Sequence, residues 1–381
     1  MINPTTIPLG LYVHIPWCVK KCPYCDFNSH VQLEIPWQKY CDALLEDLQK
    51  DYAICSERQV SSIFFGGGTP SLMPGGMFKI LMDGIRARVN LKAGAEITIE
   101  ANPGSVDAEK FLAFVDAGAN RLSIGAQSFR NDQLALLGRV HRVDAIMKSY
   151  VIARSAGFSN INLDLMHSLP NDSPDGSMSD LAQAIKLEPE HISWYELTIE
   201  EGTAFAHKPP RRPAHEGIVE NHDAGVTRLS EADYSQYEVS AYARSGRVCQ
   251  HNLNYWQFGD YIGIGAGAHG KITRGQDIVR TVKRRNPTSY TAGVAQDNHT
   301  EPELRLDDSD LVSDFMINAL RLETGFPKNL FSERTGLAWT DIEDLLEPAV
   351  TKKLLVTTKD MVKPSDLGKR FLNDLQMMFC P

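Results

Sequence analysis

LYVHIPWCVKKCPYCDFNSH, Leu11 to His30, places Cys18, Cys22 and Cys25 in CxxxCxxC spacing directly after a short apolar run, Leu9 to Ile15. The run reads as a strand, and the cysteines fall in the loop that leaves it. Thiolates this close in sequence converge on one metal centre. Two centres suit them. A zinc ion would take the three sulfurs and a fourth donor, His14 or His30, in a closed tetrahedral shell. Three thiolates on a four-iron cluster leave one iron with an open position, where chemistry can occur. A disulfide framework does not fit: seven cysteines in 381 residues are sparse and odd in number, and no signal peptide is visible. Spacing alone leaves zinc and iron both open.

Outward from this loop the chain alternates strands and helices. Trp37 to Ile54 has helical periodicity, and SSIFF at Ser61 to Phe65 runs into the glycine turn GGGTPS and a helix near Met77 to Val89. EITIE at Glu96 to Glu100, Asn102-Pro103-Gly104 and a helix over Asp107 to Ala117 repeat the unit. RLSIGAQS from Arg121 and INLDLMH at Ile161 to His167 begin two more, the second followed by the turn-rich SLPNDSPDG and a helix near Ser179 to Lys186. HISWYEL at His191 to Leu197 is the sixth strand, and His215 to Glu231 its helix after the KPPRRP loop. Strands spaced by helices predict a parallel sheet.

Six units are too few for the usual eight-stranded closure, so the prediction is an α/β fold, a partial (β/α)6 barrel. A doubly wound sheet has the same alternation. The polar residues favour the barrel, because Glu100, Gln127, Asp164, the GGGT turn and the cysteine loop all fall at strand carboxyl ends, the face where barrels bind ligands. Tyr234 to Ala243, YSQYEVSAYA, alternates like an edge strand, and CQHNLNYW and YIGIGAGAHG follow. From about Asp307, compact helices, the hairpin-like LLVTTKDMVKPS and a closing helix suggest a smaller α+β, winged-helix-like domain. The expected division is 1–240 barrel, 241–300 connecting region with HNLNYW, and 301–381 C-terminal domain.

Hydrophobic content of 43% and charged content of 23% indicate a globular chain, and no apolar run approaches the roughly 20 residues of a membrane span. A formal net charge of -9 disfavours nucleic acid as a partner. Lys283, Arg284 and Arg285 form the clearest basic run, read as a solvated loop. A reduced, cytoplasmic setting is expected, at most peripheral to a membrane.

Tyr24 before the third cysteine, and Tyr12-x-His14-x-Pro16 before the first, make the loop resemble that of radical S-adenosylmethionine (SAM) enzymes. YVHIPWC and CPYCDFNSH are similar to the branch holding oxygen-independent coproporphyrinogen III oxidase and the HemW-type haem chaperones, and the likeness runs from about Gly10 into the C-terminal domain. It implies a radical SAM barrel with a [4Fe-4S] cluster on Cys18, Cys22 and Cys25, and SAM chelating the open iron. It further implies Tyr24 against the adenine, and Gly67, Gly68 and Thr69, in the turn that opens at Gly66, at the SAM amino group. Tyr12, Glu100, Gln127, Arg139 and Asp164 complete the cofactor-binding set, Arg139 pairing with the SAM carboxylate. Lys20 and Lys21 beside the cysteines would favour their ionisation.

The oxidase branch carries a further cysteine two residues after the third; here that position is Phe27. The departure favours the chaperone branch, as does HNLNYW, His251 to Trp256, similar to the HNxxYW motif linked to haem binding. The resemblance therefore implies haem as a ligand, with His251 an axial donor and Tyr255 and Trp256 along the porphyrin. It implies apo-haemoproteins as acceptors, an electron donor to the cluster, a place in porphyrin metabolism, and compatibility with a homodimer. The alternative is the SAM-dependent oxidative decarboxylation of coproporphyrinogen III. His14, His141, His167 and His269 are expected to be structural, and Cys41, Cys55 and Cys380 to be core or surface thiols.

Overall fold

The computed structural model describes residues 2–380. Six strands, β1 (Leu9–Ile15), β2 (Val60–Gly67), β3 (Leu91–Ala101), β4 (Arg121–Gln127), β5 (Ile161–His167) and β6 (His191–Glu196), lie side by side in chain order, each parallel to the next. Their outward residues, such as Leu11 and Val13 on β1 and Ile97 and Ile99 on β3, pack under a shell of helices into one large apolar core. The helices thereby cover the outer face of the sheet, and its other face lines the barrel interior.

The helices carry the expected stripe. In α2 (Gly75–Arg86), following α1 (Trp37–Tyr52), the buried residues Phe78, Leu81, Met82 and Ile85 recur at three- and four-residue steps. Each such side chain contributes about 1.5–3 kcal/mol when fully buried. Asp107 caps α3 (Ala108–Asp116), accepting from the Lys110 amide at 2.9 Å. The expected helix over Ser179 to Lys186 begins earlier, since α6 spans Pro174–Lys186, after α4 (Asn131–Leu136) and α5 (Val143–Ser155). Ser173 caps it through the Gly176 amide, so the last third of the turn-rich SLPNDSPDG is the helix start itself.

After α7 (His215–Glu231), YSQYEVSAYA forms two short antiparallel strands, β7 (Ser235–Glu238) and β8 (Ala241–Ala243), that extend the sheet beyond β6. HNLNYW falls in helix α8 (Gln250–Trp256). The chain then crosses back, and β9 (Asp260–Ile264) joins the opposite flank of β1 as a seventh parallel strand. The antiparallel strands β10 (His269–Arg274), β11 (Asp277–Val282) and β12 (Leu304–Arg305) continue outward from it. The twelve-strand order β12-β11-β10-β9-β1-β2-β3-β4-β5-β6-β8-β7 ends in two separate edges, so the barrel is open.

Two ion networks tie the return segment to the first strands. Asp260 meets Arg58 at 2.7 Å and Lys271 at 2.8 Å, and Asp47 meets Lys283 at 2.6 Å, all nearly or wholly buried. Lys283 is therefore no part of a solvated loop; its ammonium is enclosed between Asp47 and Asp51.

A second core, centred on Phe315, Phe326 and Phe331, holds residues 306–379 together and takes in Ile2, Ile7, Phe258 and Ile278. Its first helix, Asp308–Ala319, starts with an Asp307–Asp310 capping box. Leu355–Thr357 and Met361–Pro364 form the expected hairpin, with Phe326–Pro327 as a third strand. No helix of the described residues is long and apolar enough to cross a membrane.

Candidate functional site

The loop after β1 and the carboxyl ends of β2 to β6 enclose a cavity of about 470 Å³. Cys18, Cys22 and Cys25 all open on it, as do Tyr24, Gly67, Gly68, Thr69, Glu100, Gln127, Arg139 and Asp164. These residues come from six chain segments that meet on one rim, most of them at or near strand ends and Arg139 from the connection between two helices.

The glycine turn is shaped by its neighbours. Gly67 has φ +112, and a Cβ there would stand 2.5 Å from the His14 ring. A Cβ on Gly68 would lie 2.6 Å from the Trp17 carbonyl oxygen. Only glycine allows the end of β2 this close to the end of β1. The Gly68 amide is not free, since it donates to the Ile15 carbonyl at 2.8 Å, and the Gly67 amide is near enough to the Glu100 carboxyl to lower its pKa. The turn thus offers close approach rather than open donors. Thr69 Oγ1 donates to Cys18 Sγ at 3.4 Å.

Burial pushes the Cys18 and Cys25 thiols up, against smaller opposing pulls from Thr69 on Cys18 and from the Phe27 backbone on Cys25. Lys20 and Lys21 are exposed, and Lys21 donates to the Phe27 carbonyl at 3.1 Å, so burial outweighs the expected lysine effect. Uncoordinated, these thiols hold their protons; a soft metal would displace them. The zinc alternative loses a donor, because His14 is already spent. Its Nδ1 faces the Tyr12 hydroxyl at 2.9 Å and its Nε2 the Asn28 carbonyl at 2.8 Å.

Arg139 lies between the cysteines and β4. Its Nη2 donates to the Gly125 carbonyl at 2.9 Å, its Nη1 reaches Cys22 Sγ at 3.8 Å and Tyr24 Oη at 3.5 Å, and its buried Nε has no partner among the described residues. Arg139 lines the cavity, and a guanidinium with an unpaired N–H suits an anionic ligand group. Gln127 has φ 68, left-handed for a non-glycine residue, at a bulge in the β4–β5 pairing. Asp180 clamps the following turn, accepting from Ser128 Oγ at 2.6 Å and the Phe129 amide at 2.7 Å. Such strain persists only where the surroundings enforce it, commonly at ligand sites.

Glu100 and Asp164 face the same interior. Burial, with Asp164 adding repulsion, pushes the Glu100 carboxyl up to about 8. Burial also raises Asp164, opposed by hydrogen bonds from Ser123 at 2.9 Å and Asn162 at 2.8 Å. A neutral carboxyl beside an ionisable one gives the rim both a donor and an acceptor.

Tyr195 is the residue the sequence reading missed. It lines the cavity from β6, and its hydroxyl donates to Gln127 Oε1 at 2.9 Å. The alternation of HISWYEL puts it on the face of His191 and Ser193, a signal that was available.

Two expected residues lie elsewhere. Tyr12 faces a neighbouring cavity of about 770 Å³ between β1 and the β9–β11 hairpin, which Gly67 and Glu100 also border. His251 opens on neither cavity. It is 1% exposed beneath the barrel interior, with Nδ1 on Ser62 Oγ at 2.9 Å and Nε2 on Tyr255 Oη at 2.7 Å. Burial lowers its pKa to about 3, so the ring is neutral and fully bonded. Tyr255 and Trp256 of the same motif do line the larger cavity. Cys249 is buried against Glu96, away from both. His141 and His167 are buried and structural, whereas His269 is exposed on the larger cavity.

The Radical SAM superfamily model matches residues 12–182, and the HemN C-terminal domain model matches residues 306–371. The heme chaperone HemW of Escherichia coli is 46% identical over 374 residues, 98% of each chain. The chain belongs to the HemW family of the radical SAM superfamily. HemW of Haemophilus influenzae is 43% identical, with 99% of each chain covered, and HemW of Bacillus subtilis 32%, with 96% of this chain and 97% of that one. The HemW fold is shared by the solved coproporphyrinogen III oxidase HemN of Escherichia coli, at TM-score 0.83 and 22% identity over 98% of this chain and 90% of that one.

Proposed function

We propose that this protein is a haem chaperone, binding haem and passing it to apo-haemoproteins, with a [4Fe-4S] cluster and SAM held at the barrel rim. The observation that carries the cofactor part is the shared cavity of Cys18, Cys22 and Cys25 with Glu100, Gln127, Arg139 and Asp164. The haem part is supported by the full-length likeness to HemW proteins.

When bound, the cluster supplies an electron and an iron with an open position. The chain's own residues would do the rest. Three thiolates hold the cluster, and Thr69 donates to the sulfur of Cys18. Arg139, with its unpartnered Nε, is suited to the SAM carboxylate. Glu100 and Asp164, with Gln127 fixed by Tyr195, are suited to the amino and ribose groups. Tyr24, which lines the cavity and packs on Phe205 with ring centroids 6.4 Å apart, is suited to lie against the adenine. In this reading residues 1–240 serve SAM, 241–300 bring the haem-facing aromatics, and 301–381 form the separate C-terminal unit. An electron donor, a cytoplasmic setting and, as further contacts, a membrane surface or a second copy belong to the same reading.

The oxidase alternative would call for a thiol where Phe27 stands, a side chain 59% exposed between the two cavities. The test is anaerobic: iron-loaded protein is given haem and an apo-cytochrome, and separately coproporphyrinogen III with SAM and reductant. Haem transfer without decarboxylation is the expected result. Turnover to protoporphyrinogen IX, or failure to bind haem, overturns the proposal.

A further inference from the structure

We propose that haem sits in the cavity of about 770 Å³ beside the cysteine-lined one, with His269, not His251, as its axial ligand and Arg285 on a propionate. This rests on the haem-binding reading and names its site.

The imidazoles decide the matter. Of the histidines in question, His251 has both nitrogens hydrogen-bonded and lines neither of the two cavities, and His14 faces the larger one with both nitrogens spent. His269, at the start of β10, is exposed on the cavity, and among the described residues its ring has no hydrogen-bond partner.

The walls suit a flat, hydrophobic ring. Tyr255 and Trp256, the end of HNLNYW, face in with Phe27, Phe258 and Tyr261. The motif thus supplies aromatic wall, while its histidine locks helix α8 to β2 through Ser62. Volume and lining fall within the range of cofactor pockets.

Charge then orients the ring. Lys271 is neutralised by Asp260 at 2.8 Å, and Arg280 by Asp314 at 2.6 Å. Arg285 has no ion-pair partner among the described residues, so its guanidinium is the cation left for a carboxylate. Of the acidic residues lining the cavity, Glu100 is on β3, five strands along from Arg280 on β11 in the sheet order, and Asp26 lies with Phe27 in the cysteine loop. Asn28 ties the cysteine loop to this wall of the cavity, its Nδ2 donating to the Ala266 and Arg285 carbonyls at 2.8 Å each.

The experiment is a titration of anaerobically iron-loaded, full-length protein with ferric haem, read by Soret absorption and resonance Raman. His269→Ala is expected to lose the imidazole-ligation signature and at least about tenfold in affinity, with free imidazole restoring the signature. Arg285→Gln is expected to bind about tenfold more weakly with ligation unchanged. An unchanged signature and affinity in His269→Ala, or loss confined to His251→Gln, overturns the assignment while haem binding stands. Wild-type protein that binds no haem overturns both.

Discussion

The Tyr195 hydroxyl donates to Oε1 of Gln127 across 2.9 Å, joining the ends of β6 and β4 over the end of β5. Gln127 has a left-handed backbone, so its side chain is aimed by the bulge and then held by Tyr195. Tyr195→Phe removes one hydrogen bond worth about 0.5–1.5 kcal/mol. SAM affinity should fall by about two- to tenfold, with iron content unchanged; calorimetry on iron-loaded protein measures the first and colorimetric iron assay the second. Equal losses in both would mean that Tyr195 supports the fold rather than the ligand.

Cys18→Ala, Cys22→Ala and Cys25→Ala should each abolish cluster assembly, since every thiol opens on the same cavity and none has a substitute within the loop. Metal analysis and the visible absorption of anaerobically reconstituted protein read this directly. A wild-type preparation that holds one zinc and no iron would end the cluster reading.

Glu100 makes the site pH-sensitive. Burial first, and Asp164 second, raise its carboxyl from 4.5 to about 8, so the folded state keeps a proton that the unfolded chain releases. Its contribution to stability therefore falls as pH rises from about 4.5 to about 8 and is constant above. Glu100→Gln should flatten that part of the melting-temperature profile. A cationic ligand beside Glu100 expels the proton, so SAM affinity should rise with pH up to about 8 in the wild type and stay level in Glu100→Gln. Parallel profiles in the two proteins would refute it.

Asp260 is enclosed with two cations, Arg58 at 2.7 Å and Lys271 at 2.8 Å. Burial raises its pKa, but Lys271 and Arg58 outweigh burial and hold it below the usual carboxylate range. Its stabilisation is thus present above the unfolded value of 3.8 and is lost as acid carries the pH through the lower folded value. Asp260→Ala strands two buried charges and should cost about 3–5 kcal/mol in urea unfolding. A loss under about 1 kcal/mol would show that water reaches the pair.

Local pattern carried a large part of the fold. Apolar runs such as INLDLMH and the helical stripes of α1 and α2 are set by neighbours in sequence, and so are the CxxxCxxC loop and the glycine turn. The polar residues at the ends of β3, β4 and β5 could be read the same way, and Tyr195 could have been found by extending the rule to β6. The placement of YIGIGAGAHG could not: it pairs with β1, about 250 residues earlier, and nothing in the segment itself names that partner.

The amino-acid sequence by itself determined which groups are available: three clustered sulfurs, a row of strand-end polar side chains, and a motif holding histidine, tyrosine and tryptophan. Only the tertiary structure decided which way each one faces. His251 is buried and bonded while His269 is open, and Lys283 is enclosed while Arg285 is not. The reason is physical: accessibility and hydrogen-bond partners are set by strands and loops that meet across long stretches of chain, and a residue's chemistry depends on those partners as much as on its type.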